Sequence, residues 1–195
     1  LLAASRKHDN LCIAGIDTTT GKWIRIVSED STISCAVNIY DIICTDGRVP
    51  GLFDIVSIEC IKHQPDYYQF ENYVYKPGSS WENLGRVKIE DVLRIHPFEN
   101  KSLLFYNMDN KVHKDVILCS KEPKQSLMLI KPTNIIIHVQ QWEKKRVKMS
   151  FDYNGVRYKY LTITDIEYER YYLAMDVNDY KLRDGISLVV SLGEC

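Results

Sequence analysis

Ser5–Ser28, SRKHDNLCIAGIDTTTGKWIRIVS, is the stretch on which the fold turns. Leu11, Ile13, Ala14 and Ile16 read as a strand, Asp17–Gly21 as a turn, and Trp23–Val27 as a second strand, so the segment predicts a β-hairpin. A small apolar run, Leu1–Ala4, leads into it. Side chains two apart on a strand share a face, which puts Trp23 and Arg25 on one side of the hairpin. An indole beside a guanidinium can stack on a flat group and hold an anion, chemistry suited to a nucleotide or a nucleic acid.

Working outward, the 195 residues allow one large or two small domains, and 45% hydrophobic with 26% charged residues is the balance of an ordinary globular protein. No apolar run approaches the roughly 18–20 residues that span a bilayer, and the N-terminus lacks a signal-peptide pattern, so a cytoplasmic protein with no membrane partner is expected. The six cysteines (Cys12, Cys35, Cys44, Cys60, Cys119 and Cys195) form no CxxC pair, and no histidine completes a zinc set. They read as reduced structural thiols, and the sequence predicts neither a metal nor a cofactor. The net charge of −1 conceals an asymmetry. Lys121–Lys159 carries nine Lys/Arg against three acids, a local +6, with Lys144, Lys145, Arg146, Lys148, Arg157 and Lys159 as a basic patch. A local cationic face can bind phosphates on a nearly neutral molecule.

Along the chain, Phe53–Cys60 reads as a central strand, His63–Tyr75 as a polar, aromatic connection, and Lys88–His96 as a short helix stopped by Pro97. Phe98–Ser120 reads as a connection between subdomains. Four strand-like runs follow from Ser126: SLMLIKP, NIIIHVQQW, KRVKMSFDY and VRYKYLTI. Asn154-Gly155 between the last two is a strong hairpin signal, because both residues tolerate positive φ. Arg146, Lys148 and Ser150 then share one face and Val147, Met149 and Phe151 the other. Arg157 and Lys159 alternate with Val156, Tyr158 and Tyr160. Thr164-x-x-Glu167 predicts a capping box that opens a helix through Met175, Asn178–Gly185 reads as a turn, and Ile186–Leu192 as a last buried strand. Two runs of short strands, each with one short helix, argue against a Rossmann sheet. They predict a mainly β protein of two small OB-like barrels, residues 1–120 and 121–195.

Ser5-Arg6-Lys7, Cys12–Asp17, Gly21-Lys22-Trp23-Ile24-Arg25 and Val27-Ser28 together resemble the opening of the dual OB-containing domain (DuOB) family. Tyr68-Gln69-Phe70-Glu71-Asn72 resembles its Gln-x-Glu-Asn element, and Ser191-Leu192-Gly193-Glu194 its C-terminal signature. Ile26 stands where the family usually has proline after Trp-Ile-Arg, which lets the strand run on. The resemblance implies a pair of OB folds and recognition of nucleic acid or a nucleotide, within bacterial conflict or defence systems. It brings no established catalytic activity.

The expected function is therefore a non-catalytic sensor module. Arg6, Lys7 and Arg25 would contact phosphate, Trp23 would stack, and Gln69, Glu71 and Asn72 would meet base or sugar edges. Burial of Trp23 and an Arg25–Glu71 ion pair would instead make the motif part of the fold. Two alternatives stand beside it: a protein-interaction domain docking a larger effector, and a hydrolase using Ser5 with Lys7, or Cys12 with His8, as nucleophile and base. Closeness in sequence is poor support for the hydrolase, since catalysis also needs an oriented base and an oxyanion site.

Overall fold

A computed structural model describes residues 1–7, 10–119 and 124–193, with Lys7 described in its backbone only. The chain is mainly β and divides into two compact units, Leu1–Pro97 and Phe98–Cys195. The division falls at Pro97, not at residue 120: the segment expected to connect the barrels belongs to the second unit, where it contributes Leu104 and Phe105 to the core and a short helix, α2 (Lys114–Leu118).

In the first unit β1 (Ala3–Lys7), β2 (Asn10–Ile16) and β3 (Trp23–Val27) form an antiparallel meander. The predicted hairpin is present. Its turn is closed by Gly21 N–H donating to Asp17 O at 2.8 Å, while the Asp17 carboxylate accepts from Thr19 N–H and Thr20 Oγ1, both at 2.8 Å. These bonds hold the Asp17 carboxyl below the ordinary range. Gly21 is required, because its φ is +68° and a Cβ would lie 2.4 Å from the Ile95 carbonyl oxygen.

β4 (Asp54–Ser57) and β5 (Cys60–His63) divide the run read as one central strand. β4 pairs only with β7 (Glu82–Arg86), a two-stranded ribbon, so it is not central. β5 turns back into β6 (Asn72–Tyr75), and the sheet order is β1-β2-β3-β6-β5 with β6 parallel to β3. The parallel pairing of the non-consecutive β3 and β6 requires a crossover between them, a strand order compatible with an OB-type barrel. Helix α1 (Ile89–Ile95) ends the unit, its Lys88 N–H donating to the Asp91 carboxylate at 3.1 Å.

The second unit contains β8 (Leu127–Ile130), β9 (Thr133–Gln141), β10 (Lys145–Tyr153) and β11 (Val156–Thr162), all four on the runs read from sequence. Asn154 and Gly155 have φ of 47° and 83°, the doubly positive turn that Asn-Gly favours. Helix α3 (Ile166–Leu173) starts one residue later than the capping box implied: Asp165, not Thr164, accepts the Tyr168 N–H at 2.8 Å. Asn178–Lys181, read as turn, is strand β12, which pairs with β9. The last strand, β13 (Leu188–Ser191), pairs with β8 and is half-buried. The sheet order is β11-β10-β9-β12. Its inner face supplies Ile135, Ile137, Val139, Val147, Met149 and Phe151 to one apolar cluster, and the other face carries Arg146, Lys148, Ser150, His138 and Gln140 together with Ile136.

Candidate nucleic-acid interface

The residues expected to form a pocket around the first hairpin are brought together only in part, and inward. Arg25 and Glu71 are 8% and 7% exposed, with the Arg25 Nη2–Glu71 Oε1 contact at 3.4 Å and Arg25 N–H donating to Glu71 O at 2.7 Å. Asn72 lies across from Arg25 in the parallel ladder and donates through Nδ2 to Gln69 Oε1 at 3.3 Å. Trp23 is buried, its ring packed edge-on to His96 with centroids 5.3 Å apart. Arg25, Ala14 and Ala3 are cross-strand partners on one face, so Arg6, three residues along β1 from Ala3, projects from the opposite face and is exposed. The side chain of Lys7 lies outside the described residues. The family motif thus forms an internal polar link between β3 and the β5–β6 turn, and Arg6 stands apart from it. Two buried atoms, Asn72 Oδ1 and Trp81 Nε1, have no hydrogen-bond partner among the described residues. The fold bears that cost inside the first unit.

The nucleophile pairs do not assemble into a site that can be described. Ser5 and Cys12 face each other across β1 and β2, but His8 lies outside the described residues. Among the described residues no cluster of three His, Cys, Asp or Glu could hold a metal, and no helix is long and apolar enough to cross a membrane.

In the basic patch, two cations meet carboxylate or carbonyl oxygens of the protein. Lys145 Nζ donates to the Met175 carbonyl, and Arg157 Nη1 pairs with Asp152 at 3.0 Å and donates to Asn134 O at 2.7 Å. Hydrogen bonds from Asn134 and Arg157 hold the Asp152 carboxyl below its usual value. Arg146 and Lys148 differ. They stand two residues apart on the outward face of β10, as the alternation predicted, and neither has a carboxylate partner among the described residues. Lys148 Nζ donates to Thr162 Oγ1 at 2.6 Å, and burial and then the neighbouring Arg146 push its ammonium below the ordinary lysine value. Lys144 and Lys159 are exposed.

Beside these cations lies a group the sequence reading did not single out. His138 Nδ1 is 2.7 Å from Asp179 Oδ1, and His138 Nε2 is 2.8 Å from Ser150 Oγ. Ser150 Oγ also accepts the Tyr160 N–H at 3.0 Å, and the Tyr160 ring lies 4.7 Å from the His138 ring. The order Asp–His–Ser has the connectivity of a hydrolase triad, but the burial is reversed. Ser150 is 2% exposed, whereas the Asp179 side chain is 64% exposed. A nucleophile must meet its substrate, and Ser150 Oγ is enclosed, bonded to the Tyr160 N–H and to His138 Nε2. Alternation along NIIIHVQQ places His138 outward with Gln140 and could have found it. Asp179 could not be found, because β12 was not legible as a strand.

Two small β units, the first a five-stranded sheet in the order β1-β2-β3-β6-β5 and the second presenting a cationic, aromatic sheet face, define a protein of two OB-like barrels. The chain belongs to the dual OB-containing domain family, which it matches over residues 1–195. No curated protein and no solved structure matches it.

Proposed function

We propose that the chain is a non-catalytic nucleic-acid-binding module whose contact surface is the outward face of β9, β10 and β11, within a bacterial conflict or defence system. The observation that carries this reading is the Arg146–Lys148 pair. Two cations side by side without a carboxylate repel one another, and that repulsion is a cause, smaller than burial, of the lowered Lys148 ammonium value. A phosphate between them would relieve it. Gln140 lies across from Arg146 and Thr162 across from Lys148, so hydrogen-bonding groups flank the cations. Dual OB architecture supports a binding role, since OB barrels present a sheet face and loops to extended polar ligands. The Arg25–Glu71–Asn72 group, by contrast, holds the first unit together.

The test is fluorescence anisotropy with labelled single-stranded DNA and RNA at low salt, where phosphate contacts are strongest. Binding that weakens as salt rises is expected. If neither polymer binds at low salt, the reading is wrong.

A further inference from the structure

Resting on that reading, we propose that Tyr160 is a stacking plane for an unpaired base, held in place by the Asp179–His138–Ser150 chain, so that the ligand is single-stranded and not duplex. Ser150 lies between the partner pairs Met149–Leu161 and Phe151–Tyr158, so one residue of β10 faces two of β11, Lys159 and Tyr160. That two-against-one mismatch is a β-bulge, a device that re-aims a side chain. It turns Tyr160 out of the alternation expected from Tyr158 and onto the outward face. Tyr160 has φ of +57°, which a bulky residue adopts only when its surroundings impose it.

The imposing group is the polar chain. The Ser150 hydroxyl takes the Tyr160 N–H that the bulge removes from the ladder. The His138 ring bridges the two remaining groups, with Nδ1 2.7 Å from Asp179 Oδ1 and Nε2 2.8 Å from Ser150 Oγ. His138 is 6% exposed and packs against the Tyr160 ring at an interplanar angle of 44°, the ring itself being 48% exposed. A ring fixed at its backbone and on one flank, with much of its surface open, loses little freedom when a base stacks on it. Along β10 from Ser150, opposite Tyr160, Lys148 and then Arg146 follow on the same face at steps of about 7 Å. The sequence ring, cation, cation suits a base followed by successive phosphates of an extended strand. Duplex bases are already stacked on one another and have no free face to offer such a ring.

Anisotropy with a labelled oligonucleotide, alone and annealed to its complement, tests this. The single strand is expected to bind more tightly than the duplex. Tyr160→Asn removes the ring while suiting the left-handed backbone, so folding is preserved, and it should weaken single-strand binding roughly 5- to 150-fold. The dependence on salt should stay unchanged, because no cation is lost. Tyr160→Phe should retain binding. Ser150→Ala should lose affinity in the same salt-independent way, and Ser150→Thr, which keeps the hydroxyl, should restore it. If Tyr160→Asn binds like the parent while Arg146→Gln does not, the stacking proposal falls and the nucleic-acid reading survives. Equal binding of duplex and single strand also overturns the proposal, and absence of any binding overturns both. Covalent labelling of Ser150 by a fluorophosphonate would show an accessible nucleophile and overturn the supporting role given to the chain.

Discussion

Arginine does opposite work in the two units. Arg25 lies on β3 with both faces of the strand covered, and it meets Glu71 through its side chain and its backbone. Arg146 lies on a strand with one covered face and points to the other, two residues from Lys148 on that face. A buried cation must be matched from within the protein, whereas an outward cation is open to solvent and to any anion that meets it. The most recognisable motif in the sequence is therefore buried within the first unit, and the less distinctive basic hairpin is the surface proposed for a ligand.

The comparison can be broken most forcefully at Arg25. Arg25→Ala leaves the Glu71 carboxylate buried without its partner and should cost about 3–5 kcal/mol, read by chemical denaturation. Arg146→Gln should leave the denaturation midpoint nearly unchanged. A smaller loss, about 1–3 kcal/mol, is expected for Gly21→Ala, which combines positive φ with a close approach to the Ile95 carbonyl. Alkaline titration probes the first unit at a finer scale. Burial, reinforced by a hydrogen bond to Asp41, pushes the Tyr75 phenol up to about 12. A raised folded value means that stability is fully present below about pH 10, where free tyrosine titrates, and is lost as pH rises through the folded value. Tyr75→Phe should flatten that loss, and equal alkaline unfolding of the two proteins would remove Tyr75 from the account.

The same division explains what could be seen from sequence. The hairpin 11–27 and strands β8 to β11 were legible because alternation and turn residues agree: Asn154-Gly155 needs positive φ, and Val147, Met149 and Phe151 repeat at the strand period. β1, β5, β6, β7 and β12 were missed, being four or five residues long and defined by their pairing more than by their own pattern. Clustering of Arg146 with Lys148 followed from alternation. Burial of Trp23 with Arg25 did not, since a two-residue period assigns a face without saying what covers it. The bulge at Tyr160 was hidden for a related reason: the strand run VRYKYLTI carries no glycine to mark it.

The salt dependence of single-stranded oligonucleotide binding tests the central claim most directly, comparing the parent protein with Arg146→Gln/Lys148→Gln. Each phosphate contact contributes about 0.7 to the slope of log affinity against log salt, so losing two cations should reduce that slope by about 1.4 and weaken binding at low salt. An unchanged slope with unchanged affinity would contradict the account and move the contact surface away from this sheet face.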